Sequence, residues 1–98
     1  MADKYKNSES TDHITAIDYY WRPGCPFCEG LNKKLKAAKI PLNKHNIWDS
    51  PKAAATVRSI ANGNETVPTV VIGPAKLVNP SIKQVQAALT EFAPHLAS

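Results

Sequence analysis

At 98 residues the chain has the length of one domain, because a single core usually grows to about 100–150 residues before a second is needed. Hydrophobic residues at 43% and charged residues at 20% exclude the apolar-poor, charge-rich composition of a disordered chain. The net charge of +4 is carried by lysines scattered along the chain, which reads as solubility and argues against a nucleic-acid surface.

Residues 1–12 hold, after Met1 and Ala2, Lys, Asn, Ser, Glu, Thr and Asp with Tyr5 as the sizeable apolar side chain among them. They are expected to form a flexible polar tail ahead of a domain over residues 13–98. No apolar signal core follows them and no run approaches the roughly 18 residues of a membrane span, so a cytoplasmic protein is expected. Residues 14–21 alternate Ile14, Ala16, Asp18 and Tyr20 with Thr15, Ile17, Tyr19 and Trp21, which predicts a mostly buried first strand. Arg22-Pro23-Gly24 breaks it. Pro26 suits a first helical turn, where its missing N–H has no intrahelical partner. The helix is predicted to begin at the cysteines, to carry Leu31, Leu35 and Ala38 at helical spacing opposite a solvated lysine face, and to end before Pro41.

Residues 42–48 are the second candidate strand. Asp49-Ser50-Pro51 then sets a cap residue before a proline and opens a second helix through Ala53, Val57 and Ile60. Asn62-Gly63-Asn64 closes it with residues that tolerate left-handed backbone. Residues 67–72 resume a β-rich run, Gly73-Pro74 marks a turn, and residues 76–78 are short enough for the return strand of a hairpin. Asn79-Pro80 repeats the cap-plus-proline start for a last helix carrying Ile82, Val85 and Leu89, and Pro94 marks its end. A helical crossover makes the first two strands parallel and the hairpin makes the last two antiparallel. The order β-α-β-α-β-β-α is that of the thioredoxin fold, an α/β architecture with a four-stranded mixed sheet flanked by three helices.

Both cysteines stand in one C-x-x-C, Cys25-Pro26-Phe27-Cys28, whereas a secreted disulfide scaffold spreads more of them along the chain. In a reducing compartment such a pair is redox chemistry or a metal site. Disulfide exchange needs the thiolate, and an ordinary thiol with a pKa near 8.5 is mostly protonated at neutral pH. Cys25 stands where the helix is predicted to begin, so free backbone N–H groups and the positive helix end favour its anion, and Arg22 adds charge nearby. Cys28 lies one turn further on the same face, where its sulfur can reach that of Cys25 and displace a bound thiol. A structural zinc site would need two more ligands at short spacing. His13, His45 and His95 are single and far apart, so no metal is expected. Phe27 is expected to be partly exposed beside the nucleophile, packing on a substrate or on its own helix.

A second feature points the same way. Thr66-Val67-Pro68-Thr69 opens the third strand with a proline that cannot donate a ladder hydrogen bond. A cis bond there would turn the Val67 N–H and C=O outward as a strand edge for an extended thiol peptide; the alternative is an ordinary proline at the start of a strand.

In this order and spacing, Trp21-Arg22-Pro23-Gly24-Cys25-Pro26-Phe27-Cys28, Thr66-Val67-Pro68-Thr69 and Asn79-Pro80-Ser81 resemble the glutaredoxins, and more narrowly the actinobacterial mycoredoxins, over about residues 14–92. The resemblance implies a thiol–disulfide oxidoreductase with a cis peptide at Pro68. In it, Cys25 attacks the mixed disulfide between a protein and a low-molecular-weight thiol, and Cys28 is the resolving thiol. It also places the small thiol along Thr66 and Val67, near Arg22, Pro26, Phe27 and the start of the last helix. Glutathione-using relatives usually carry an acidic pair before that helix, where an aspartate holds the charged end of glutathione; this chain has Asn79-Pro80-Ser81. Glu65 stands before Thr66, where many glutaredoxins have a basic residue. Both departures lean from glutathione toward mycothiol, a thiol with a glucosamine–inositol body, as the reducing co-substrate. Asn79 and Ser81 are then hydroxyl partners or simply helix caps. The expected partners are the small thiol and thiolated client proteins, met by a monomer that binds neither nucleic acid nor membrane. Two other readings stand beside this one. They are a thioredoxin-like dithiol reductase of protein disulfides and a module holding an iron–sulfur cluster between two copies, each giving Cys25.

Overall fold

The computed structural model describes residues 14–96; the polar tail expected over residues 1–12, and His13, lie outside them. In chain order the elements are β1 (Ile17–Trp21), α1 (Pro26–Ala37), β2 (Leu42–Asn46), α2 (Pro51–Ile60), β3 (Thr69–Ile72), β4 (Ala75–Val78) and α3 (Ile82–Phe92), followed by a short 3-10 turn, Pro94–Leu96. The strands form one four-stranded sheet in the order β2-β1-β3-β4. β1 runs parallel to β2 from Ile17↔Leu42 to Trp21↔Asn46 and antiparallel to β3 through Tyr19↔Val70, while β3 and β4 close a hairpin at Ile72↔Ala75. This is the mixed α/β sheet of the thioredoxin fold that the element order predicts.

β1 is central, and its period of two feeds a core on each face. Ile17 and Tyr19 turn toward Leu31 and Leu35 of α1, Val70 and Ile72 of β3, and Val85 and Leu89 of α3. Tyr20 turns the other way, where Ile47 and the α2 residues Ala53, Ala54 and Val57 cover it. Two helices therefore cover one face and α2 the other.

Element ends follow local hydrogen bonds. β1 begins at Ile17 and not at residue 14, because the pairing with β2 starts there: Ile17 stands opposite Leu42 and its N–H donates to the Pro41 carbonyl at 3.0 Å. β2 stops at Asn46, short of Trp48, because the Asn46 side-chain oxygen accepts the Trp48 N–H at 2.9 Å and its backbone carbonyl accepts from Asp49 and Ser50. That turn leaves Trp48 exposed. β3 begins at Thr69, so Val67 and Pro68 lead into the strand instead of forming its first two residues.

The start of the last helix differs from the sequence expectation. Ser81, not Asn79, is the cap: its Oγ accepts the Gln84 N–H at 3.2 Å while the Gln84 side chain accepts the Ser81 N–H at 2.8 Å. This is a reciprocal capping box. Asn79 takes a left-handed φ of 49° and donates its N–H to the Pro68 carbonyl at 2.7 Å. Asn79-Pro80 thus turns the chain out of β4, and the buried Pro80 precedes the cap. The other two starts are as the sequence predicts, with Cys25 capping α1 ahead of Pro26 and Ser50 capping α2 ahead of Pro51.

Candidate functional site

The cysteine pair stands at the end of β1 from which α1 departs. Cys25 has extended backbone, its Sγ accepts the Cys28 N–H at 3.2 Å and its carbonyl accepts the Glu29 N–H at 3.0 Å. A sulfur thus occupies the place that a serine or aspartate oxygen usually takes at a helix start. The same unpaired N–H groups and positive helix end that bind anions stabilise a thiolate there over a thiol. The two sulfurs are joined as a disulfide across Cα atoms 5.2 Å apart. Both residues are nearly covered, Cys25 at 3% and Cys28 at 2% exposure.

The Val67–Pro68 segment flanks Cys25. The peptide bond between them is cis, and the Val67 carbonyl oxygen lies 3.8 Å from Cys25 Sγ. Thr66 joins this support through its carbonyl, which accepts the Thr69 hydroxyl at 2.8 Å. Pro68 is buried and its carbonyl is held by Asn79, so the segment is tied to the loop that starts α3.

On the α3 side, Pro26, Phe27 and Lys34 of α1 face Asn79, Pro80 and Ser81 across a cleft of about 210 Å³. Phe27 is 70% exposed and lines this cleft. Lys34, read from sequence as part of a solvated face, borders this cleft. Arg22 makes other contacts: its guanidinium donates to the Pro23 carbonyl at 3.1 Å and sits over the Trp48 ring, 5.5 Å from its centroid. Nothing in the local sequence announced that pairing, since β1 and the turn after β2 meet through sheet register. Glu65 pairs with the Arg58 guanidinium at 2.7 Å.

A smaller cavity of about 80 Å³ lies behind the pair, lined by Tyr19, Trp21, Cys28, Glu29, Asn32 and Lys44. The Tyr19 hydroxyl donates to the Cys28 carbonyl, and burial pushes its pKa up to about 12. It is therefore a neutral donor at physiological pH. Sequence alternation turned Tyr19 inward without naming its partner. The described histidines serve other contacts: His45 pairs with Asp18 at 3.0 Å and stacks on Tyr20, and His95 meets the Ile14 carbonyl at 2.6 Å. Among the described residues, no helix is long and apolar enough to cross a membrane.

Comparison with known proteins agrees with this geometry. The glutaredoxin family model matches residues 17–75. Two proteins named as glutaredoxins, from the CDC 1551 and H37Rv strains of Mycobacterium tuberculosis, are each 35% identical over 79 residues, covering 80% of this chain and 94% of their own. Among solved structures, a mutant of a thioredoxin-like protein superposes with a TM-score of 0.66 at 23% identity, covering 74% of this chain and 97% of its own. A glutaredoxin from Archaeoglobus fulgidus gives 0.65 at 20% identity, covering 80% and 89%; at such identities these two speak for the fold. With a helix-capping cysteine, its partner one turn on and a family match across most of the domain, the chain belongs to the glutaredoxin family and is a glutaredoxin-like thiol–disulfide oxidoreductase.

Proposed function

We propose that this protein reduces mixed disulfides between proteins and a low-molecular-weight thiol in the cytoplasm, and that the thiol is mycothiol. The observation that carries the reading is the placement of the Val67 backbone carbonyl 3.8 Å from the helix-capping Cys25 sulfur, which offers an extended thiol a backbone edge beside the nucleophile. The Cys25 thiolate attacks the small-thiol sulfur, a Cys25–thiol disulfide forms, and the protein sulfur leaves as a thiolate that takes a proton. A second small thiol then attacks that adduct, releasing the symmetric small-thiol disulfide and regenerating Cys25. Alternatively Cys28 attacks Cys25 Sγ and expels the small thiol; the Cys25–Cys28 disulfide supports this resolving role.

The neutral character of the α3 side supports mycothiol. Asn79 and Ser81 offer an amide and a hydroxyl to the cleft, and neither supplies a carboxylate for the free ammonium group of glutathione. Ser81 Oγ accepts from Gln84 yet keeps its own O–H to donate, so capping and ligand contact are compatible there. Glu65 engages Arg58, which removes a free cation from the approach to Thr66.

Cys25→Ser is expected to abolish turnover, while Cys28→Ser keeps a substantial part of it. Equal kcat/KM for the mycothiol and glutathione adducts of one model substrate would refute the choice of thiol. The internal disulfide also favours a second reading, a dithiol reductase of protein disulfides. That reading requires both cysteines and efficient insulin reduction.

A further inference from the structure

Cys28 is 2% exposed, yet a resolving thiol must give up a proton to attack and must regain one when its disulfide is reduced. Cys25, at 3% exposure, closes the front of the pair. The way out lies behind. The cavity of about 80 Å³ touches Cys28, and a water needs only roughly 10–15 Å³ of such space with two to four polar partners. The walls supply those partners. Asn32 lines it, and its Oδ1 is buried without a hydrogen-bond partner among protein groups, whereas buried oxygens are normally paired, with ordered water where protein groups do not reach. Glu29 and Lys44 line the same cavity and are themselves exposed, so they connect it to solvent. Lys44 is held there by its approach to the Trp21 ring, 5.9 Å from the centroid.

We propose that Asn32, Glu29 and Lys44 hold water in this cavity as the proton-exchange route of Cys28, with Asn32 as the positioning residue. The proposal rests on the reading of Cys28 as the resolving thiol. During resolution the Cys28 S–H proton passes to the cavity water and on to the Glu29 carboxylate or solvent. The Cys28–Cys25 bond forms, the Cys25–thiol bond breaks, and its electron pair leaves on the small thiol, which takes a proton from solvent. When a small-thiol thiolate attacks Cys25 Sγ and reopens the internal disulfide, a Cys25–thiol bond forms and the Cys28 sulfur leaves as a thiolate that is reprotonated by the same water beside the Lys44 ammonium. The titratable groups facing Cys28 are Tyr19 from β1, Lys44 from β2, and Cys25 and Glu29 at the start of its own helix.

Stopped-flow mixing of the reduced protein with a chromogenic aryl disulfide separates the two steps, because the first thiol released reports Cys25 attack and the second reports resolution by Cys28. Asn32→Leu is expected to slow the second phase about tenfold and move its pH profile to the alkaline side, within the range that a lost proton-transfer partner produces. Asn32→Asp, which keeps an acceptor, restores the rate. The first phase stays within about twofold, as expected when the lost partner serves only the second proton transfer. A second phase as fast in Asn32→Leu as in the unaltered protein, with the same pH profile, overturns the proposal. Should that variant not fold, Lys44→Met and Glu29→Gln carry the same test on exposed positions, and an unslowed second phase in both overturns it. An unaltered protein with no second phase instead refutes the resolving role of Cys28.

Discussion

The Tyr19 hydroxyl donates to the Cys28 carbonyl from a residue that is 1% exposed, adding a hydrogen bond to the apolar packing between the central strand and the helix bearing the cysteines. Burial raises its pKa from 10.0 to about 12. An unfolded chain would ionise this tyrosine near pH 10 while the folded one resists until near pH 12. The stabilisation is therefore complete below the lower value and is lost as pH climbs through the upper one. Tyr19→Phe removes the side-chain donor to the Cys28 carbonyl, which stays within the hydrogen-bonded helix α1, and is expected to cost about 0.5–1.5 kcal/mol at neutral pH. It should appear as a lower urea midpoint with unchanged slope and a shallower alkaline loss of stability. At this scale the sequence revealed Cys25 and Cys28, because a helix start and a one-turn spacing are local. It did not reveal Tyr19 on the Cys28 carbonyl, the unpaired Asn32 oxygen or Trp48 beneath Arg22, because those contacts depend on how distant segments pack.

Helix starts show how local and tertiary signals compete. α1 and α2 begin where a capping residue precedes a proline, and both were legible for that reason. Asn79-Pro80 carries the same signature but is used as a turn, because the chain leaving β4 needs a left-handed residue whose N–H meets Pro68. The true signal, Ser81 with Gln84 three residues on, was also in the sequence. Substitutions separate the two jobs. Ser81→Ala should cost about 1 kcal/mol through the lost cap. Asn79→Gly keeps the left-handed turn and should change stability by less than about 0.5 kcal/mol. Urea titration reads both values. A raised KM for the mycothiol adduct in Asn79→Gly, without a matching loss of stability, would assign the amide to the thiol.

Across the whole molecule, the layers were legible because alternation in β1 and helical spacing in α1 and α3 each point apolar side chains to one place. Strand register was less legible, since it is set by partners such as Leu42 and Val70 rather than by β1 alone. The outer strands β2 and β4 are short, and Lys44 and Lys76 stand exposed on them, which discourages edge-to-edge association. The same architecture sets the two tryptophans apart. Trp21 lines the cavity that reaches Cys28, whereas Trp48 is 63% exposed under Arg22. An excited indole is quenched by electron transfer to a disulfide close to it, so Trp21, which shares a cavity with Cys28, is expected to report the oxidation state of the pair. Emission should brighten on reduction in the unaltered protein and in Trp48→Phe, and should barely change in Trp21→Phe. Each turnover at the sulfurs then becomes visible as a flash and fade of one ring, with no label attached.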